Sequence, residues 1–354
     1  MRPPLSRQAV FVSATFAAAA LTGVLHAATD QPVATFVAGG VALAGLAWVV
    51  GVGTEAVGSR FGPAVTGVLQ STLGNLPELF IVLFALSAGE TVVAQTSILG
   101  SLFANALLVL GLAIVAGSGQ AKDGVMRFGA RLPNDTAVLL LLAVFTIVVL
   151  GVSDRVGDRA SRHTVAISVA GAVVLLVIYA SWLRGYVRAD RRADPPPAHD
   201  AHGLSLPAAL LLLAAAGVGA ALVSDWFVAE LDPAVRRIGI SKAFTGLVIV
   251  AIAGNAVENL VGVTLAAKGK SDLAVSVVKN SVSQIAVFLY PTLVLLSLFF
   301  DHRLTFVVNP VLTGALALMA LAVWAITGDG EAAAFEGWAL VGFYVILAAL
   351  TWYE

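Results

Sequence analysis

There is no cysteine anywhere in the chain, which excludes disulfides, thiolate metal sites and thiol redox chemistry. Charge is scarce as well: Asp, Glu, Lys and Arg make up 12% of the 354 residues, against about 25% in an ordinary soluble domain. What charge there is nearly cancels, to a formal −1, so nothing in the balance points to nucleic acid or another polyionic partner. No HExxH motif is present, and no Ser-His or Asp-Asp pair stands out within the apolar stretches, which argues against an intramembrane hydrolase. Polar stretches are short, with one exception. RGYVRADRRADPPPAHDAHG, 184–203, carries charges and a triple proline that should keep it out of a membrane as a linker. Its His199 and His202 read as solvated linker residues before they read as metal ligands.

Apolar residues, by contrast, make up 59% of the chain, and the mean hydropathy is +0.95. With repeated apolar runs of about 18 residues or more, this is the pattern of an all-α, multi-pass membrane protein. Breaks in the pattern give about eleven spans, near 9–27, 33–54, 64–87, 92–117, 135–152, 164–186, 205–228, 240–266, 272–300, 304–326 and 336–352. The first run follows Arg2 and Arg7 as a signal peptide would, but it is too long for a signal core and its exit, LHAATDQP, is a poor cleavage site. It is read as a true span. An inner N-terminus places twelve Lys and Arg in inner segments and seven in outer ones, so the positive-inside bias favours that orientation. The expected location is the cell (plasma) membrane, with the N-terminus cytoplasmic.

Two stretches deep in apolar runs repeat a polar pattern: GNLPELF at 74–80 and GNAVENL at 254–260. Shifted by 180 residues, 74–110 aligns with 254–290 without a gap, with seven of 37 positions identical. That identity alone would be unremarkable between apolar helices, but the matches include Gly74/Gly254, Asn75/Asn255, Glu78/Glu258 and Ser101/Ser281. An odd number of spans separates the copies, so they face opposite ways across the bilayer. Inverted repeats with interrupted helices and a midplane site are typical of secondary transporters. Accordingly, residues 1–30 read as an extra N-terminal helix and 31–186 as a first five-helix repeat. Residues 187–204 are a cytoplasmic polar linker, and 205–354 a second five-helix repeat.

Of the 21 acidic residues, Glu78 and Glu258 alone fall well inside the spans. Each ionised carboxylate would cost a few kcal/mol at the bilayer centre without a cation or proton to offset it. Gly74, Gly254 and Pro77 weaken the helix there and free backbone carbonyls. Asn75 and Asn255 each lie three residues before the glutamate, on its helical face. Spans 4 and 9 add Ser101 and Asn105, and Ser281 and Gln284, four and three residues apart. These last four serve equally well as ligands or as interhelical hydrogen-bonding groups. The donors are all oxygen, which suits a hard cation such as calcium. Burial and mutual repulsion also favour protonation of such a pair, which titrates as a unit. Protons and a divalent cation would then exclude one another from one site, the logic of antiport.

These residues resemble the calcium/cation antiporter superfamily, nearest its calcium/proton exchanger branch. TEAVGSRFGPAVTGVLQSTLGNLPELFIVLFALSAGE and SILGSLFANALLVLG are similar to the branch's first alpha repeat, and GISKAFTGLVIVAIAGNAVENLVGVTLAAKGKSDLA to the start of its second. The resemblance implies an eleven-span antiporter with Glu78 and Glu258 as central cation and proton ligands, and Asn75, Asn255, Ser101 and Ser281 around them. Transported calcium would be bound, with no other cofactor, and protons, other cations such as sodium and the lipid bilayer complete the partners. A homo-oligomer is compatible with the sequence. The chain departs from the family at NSVSQ, 280–284, where the family has Gly-Ser-Ser-x-Gln; at Pro77, more typical of the sodium/calcium branch; and at Lys279, where an apolar residue is usual and the first copy has Leu99. On an ideal helix Lys279 points about 160° from Ser281 and about 140° from Gln284, away from the ligand face. Sodium/proton or sodium/calcium exchange stays open, as does a passive cation channel, since carboxylates also line pores. Glu55 and Arg60 read as a local ion pair or a cytoplasmic entrance, and His26, His163 and His302 as interfacial residues at span ends.

Overall fold

The structure, a computed structural model, describes residues 7–58, 73–129, 131–190 and 204–354; the described side chains exclude those of 7, 58, 131–132, 186–190 and 256–258. Arg60, His199 and His202 lie outside the described residues, and so does the Glu258 side chain. Among the described residues, nine helices are long and apolar enough to cross a bilayer. They are α1 (Arg7–Ala28), α2 (Pro32–Gly58), α4 (Thr91–Ser118), α5 (Arg131–Val156), α6 (Thr164–Asp190), α7 (Leu206–Ala229), α11 (Ser271–Phe299), α12 (Pro310–Thr327) and α13 (Ala334–Trp352). Between them lie α3 (Leu76–Ser87), α9 (Lys242–Gly254) and α10 (Ala256–Ala267), each shorter because Asn75 and Asn255 interrupt the helix. A two-stranded antiparallel sheet joins β1 (Val125–Arg127) to β2 (Glu331–Ala333).

Two boundaries differ from the sequence reading. The span expected at 304–326 starts at Pro310, because Asn309 caps it, its Oδ1 accepting from Val311 N at 2.8 Å, with proline in the first turn. Residues 304–308 are instead irregular, with Leu304, Phe306 and Val308 buried. The alternate carbonyls of Thr305 and Val307 accept from Tyr290 Oη (2.8 Å) and Gln95 Nε2 (2.6 Å). The stretch read as a loop after α7 holds a further helix, α8 (Leu231–Ile238). It carries Asp232, Arg236 and Arg237, ends on the left-handed Gly239 (φ 78°) and meets α9 at a 118° bend. At eight residues it is too short to span, since it covers only about 12 Å.

Element boundaries recur at the 180-residue shift. α3 and α10 map end to end, Leu76 onto Ala256 and Ser87 onto Ala267, while α4 and α11 begin at Thr91 and Ser271. Each pair is joined by a turn with a left-handed glycine, Gly89 (φ 78°) and Gly269 (φ 71°), a conformation that needs no Cβ. A π-helical segment interrupts each second helix at matching depth, Ala104–Val109 and Ile285–Leu289. The two turns sit at opposite ends of α4. Glu90 immediately precedes its first residue. Asp272, next to the Gly269 turn, accepts from Gly129 N at 2.7 Å, just past the strand that follows α4.

Contacts between loops sort them into two groups. At the Gly89 end, His302 packs on Gly89, His26 Nδ1 lies 3.0 Å from Glu230 Oε1, and Ser241 Oγ donates to the Thr351 carbonyl at 2.5 Å. At the other end are the β1–β2 sheet, the Gly129–Asp272 bond and Asn134 Nδ2 donating to the Gly328 carbonyl at 3.5 Å. This is the grouping that alternating spans require, and it leaves open which group is cytoplasmic. His163, in a 3-10 turn, and His302 are exposed.

At the centre α4 and α9 cross with their backbones touching. A Cβ on Gly100 would stand 2.6 Å from Leu247 Cα, and one on Gly246 would collide with Thr96 Oγ1. Gly100→Ala should therefore destabilise the protein by about 1–3 kcal/mol, the cost of overpacking a rigid contact. Gly314→Ala, where nothing lies within 4 Å of the added carbon, should not. Thermal unfolding in detergent reads both; equal midpoints for the two variants would show that this crossing yields.

Candidate cation site

Glu78 lies in the first turn of α3, directly after the break at Asn75 (φ −83°, ψ 5°). It is 1% exposed and Asn75 3%. Among the described residues Glu78 and Lys279 are the only charged side chains this deeply buried. The second break, at Asn255 (φ −109°, ψ 17°), faces the first: a Cβ on Gly254 would lie 3.8 Å from Glu78 Cβ. The two interrupted helices are thus in van der Waals contact at Gly254 and Glu78. Gly74 lies half-buried just before the Asn75 turn, and the backbone places Glu258 in the first turn of α10, as Glu78 is in α3.

A buried hydrogen-bond network joins the two copies beside these breaks. Asn105 Nδ2 donates to Asn255 Oδ1 and to Ser281 Oγ, both at 3.2 Å. Asn255 Nδ2 donates to Ser101 Oγ (2.7 Å) and to the Ala251 carbonyl (3.0 Å). α4 of the first copy therefore meets the Asn255 break and α11 of the second at one point. Asn105 Oδ1, fully buried, has no hydrogen-bond donor among the described residues, which leaves a neutral oxygen open to a further partner. The donor set is oxygen from carboxylate, amide and hydroxyl, with no sulfur or imidazole.

Gln284 stands apart from this network, beside Tyr179 of α6. Residues three apart on a helix diverge by about 60°, enough here to turn Gln284 toward α6 while Ser281 faces Asn105. Tyr179, whose ring packs on Phe288 at 5.5 Å, was not singled out from the sequence; a tyrosine in an apolar span carries no local signal of such a neighbour. Lys279 points away from the network, as ideal helix geometry predicts. Its Nζ donates to Thr327 Oγ1 of α12 at 2.7 Å. One turn on, Ser283 Oγ donates to the carbonyls of Lys279 (2.9 Å) and of Thr136 in α5 (3.2 Å). Glu55 is exposed on α2.

The family profile described as sodium/calcium exchanger protein matches residues 31–185 and 208–353. The chain belongs to that family. It is similar to the Ca(2+)/H(+) antiporter ChaA of Bacillus subtilis, 32% identical over 314 residues covering 87% of this chain and 89% of the relative. The Ca(2+)/H(+) antiporter of Aphanothece halophytica is 29% identical over 333 residues, 89% of each chain. Among solved structures, native YfkE superposes with a TM-score of 0.80 at 28% identity, over 98% of this chain and 99% of that one. The chain is thus a multi-pass membrane protein of the exchanger fold.

Because Lys279 is engaged with α12, Lys279→Leu, which copies Leu99 of the first repeat, should shift the calcium-to-sodium preference by less than tenfold, or about 1.4 kcal/mol. Competition transport assays on the purified variant measure it. A larger shift would mean that the ammonium acts on the site through the apolar interior.

Proposed function

We propose that the chain is a secondary antiporter that exchanges calcium for protons at a site shared by Glu78 and Glu258. One observation carries this reading: the network of Ser101 and Asn105 with Asn255 and Ser281 ties both copies together beside the buried Glu78. The calcium/proton antiporter names of the relatives supply the substrate pair. A hard cation takes six to eight oxygens when it is calcium, and carboxylates with neutral amide and hydroxyl oxygens are its usual ligands. On this reading Glu78 and Glu258 hold the charge, and Asn75, Asn105, Asn255, Ser101 and Ser281 supply neutral oxygens, with backbone carbonyls at the Gly74 and Gly254 breaks. Gln284 belongs to the surrounding shell, oriented by Tyr179. An unoccupied carboxylate pair in an apolar interior takes up protons, and the cation displaces them. The copies form inverted five-helix repeats, 31–186 and 205–354, with 1–30 added in front and 187–204 as a cytoplasmic linker. We place the protein in the cell membrane with its N-terminus inside.

Glu78→Gln and Glu258→Gln should each abolish exchange while the protein still reaches the membrane, since glutamine keeps the shape and loses the titrating charge. Proton flux in proteoliposomes, driven in turn by calcium, sodium and potassium gradients, is the assay. Near-normal calcium-driven flux in either variant would remove the shared site from the mechanism.

Apparent calcium affinity should fall as pH drops, because protons compete for the same oxygens. An affinity that stays flat from about pH 5 to pH 8 would show a site with no proton linkage.

A further inference from the structure

At the Gly89 end of the bundle an ion cluster spans the two copies. Lys242 Nζ donates to both oxygens of Glu90, at 2.7 and 2.8 Å, and lies 2.7 Å from Asp232 Oδ1. Arg236 Nε lies 2.9 Å from Asp232 Oδ2. Two cations meet two anions, so the cluster is neutral and complete without a ligand. The Lys242 side chain is 35% exposed, Glu90 19% and Asp232 30%, so solvent screens these pairs less than it would at an open surface. The Lys242 ammonium holds the Asp232 carboxyl, on the connecting helix α8, below the ordinary carboxylate range.

Each of its residues is fixed to an element that leads into the site. Glu90 precedes α4, the helix of Ser101 and Asn105; its N–H donates to the Ala85 carbonyl (2.7 Å) and its carbonyl accepts from Ala94 N (2.9 Å). Lys242 is the first residue of α9, whose start is capped by Ser241 Oγ accepting from Phe244 N at 2.8 Å, and α9 runs into the break at Asn255. Asp232 lies on α8, beyond the 118° bend. At the far end Arg127 pairs with Asp123 at 2.7 Å and, across the strand pair, with Glu331 at 3.5 Å, all of them more than half exposed. The residue equivalent to Glu90 is Lys270, and among the described residues neither it nor Lys268 makes an ion pair; the nearby link is the Gly129–Asp272 hydrogen bond.

We infer that Lys242, Glu90 and Asp232 form a latch that closes the two site-bearing helix pairs at this end, and that its opening is a step of the exchange cycle. The latch rests on the antiport reading, because a protein that alternates access must separate these ends to admit ions from that side. It assigns Lys242 a positioning role, since its ammonium touches no part of the cation site.

The absence of native cysteine makes the test direct. Ser97 is fully buried on α4 between Glu90 and Ser101, and its Oγ bonds only within its own helix, to the Ala94 carbonyl at 3.0 Å. With Ser97→Cys as the single thiol, a membrane-impermeant methanethiosulfonate is added to each side of proteoliposomes in turn. In this background Lys242→Met should raise labelling from the Glu90 side at least tenfold and slow exchange. Lys242→Arg, which still reaches both carboxylates, should label slowly like the parent. Glu90→Gln, a milder change that keeps the Lys242–Asp232 pair, should fall between. Unchanged labelling in both Lys242→Met and Glu90→Gln would overturn the latch. Labelling needs no transported ion, so this failure is distinct from a failure of the calcium/proton reading, which the glutamate variants expose by flux.

Discussion

Burying a carboxylate within a membrane protein is the constraint on which the rest of this structure depends. Glu78 is 1% exposed, and an ionised group there is tolerable only with a cation, a proton or strong polar partners. The surroundings follow from that need. The helix is broken immediately before Glu78, which brings backbone and amide groups to its level. The second interrupted helix meets it at Gly254, and Asn105, Asn255, Ser101 and Ser281 lie beside the breaks as oriented dipoles. Around them α4 and α9 cross at glycine with no room for a side chain. Helices in lipid gain nothing from excluding water, so such close backbone contact and interhelical hydrogen bonds carry their association. A polar site and a tightly crossed core are here parts of one solution.

Recurrence of the pattern at a fixed shift explains how one sequence motif yields a two-sided site. Helix starts, left-handed glycines and π-helical segments repeat at the same spacing, although few residues between them are identical. What is kept is the punctuation of the backbone: where the helix breaks, where it turns and where it loosens. The apolar residues between these points need only be apolar. The two turns lie at opposite ends of α4, so each copy presents its break to the centre from the opposite direction.

Much of this was legible in the residues themselves. Apolar length marks the spans, and GN at 74 and 254 marks the breaks, since only a functional reason places Asn and Glu in such runs. The convergence of Asn105 with Asn255 and Ser281 follows from helical faces and the repeat. What could not be read required contacts between distant segments. Lys242, Glu90 and Asp232 look like ordinary charges at span ends until the fold brings two distant connections together. The irregular stretch 304–308 reads as part of a span because it is apolar, and the Asn-Pro at 309–310 is the available sign that helix begins only there. The charged stretch at 231–238 reads as loop by composition, yet forms a helix because it can lay Leu231, Ala234 and Val235 against the bundle.

The copies are not chemically equivalent, and the difference bears on how the site treats its ions. In the first, Asn105 sits within the π-helical segment and directs its amide to the centre. The residue at the matching position of the second is Ile285, and the nearest amide, Gln284, turns to Tyr179. Lys279 adds to the asymmetry: where the first copy has an apolar Leu99, the second anchors α11 to α12 through an ammonium on Thr327 and to α5 through Ser283. Such anchoring resists displacement of α11 relative to its neighbours, because separating the buried amine from its hydroxyl acceptor leaves a buried polar group unsatisfied. α4, by contrast, is joined to α9 by contact at glycine and to Lys242 by a separable ion pair. Backbone symmetry therefore brings the two breaks together, while the side-chain differences set how each helix pair is tied to its neighbours.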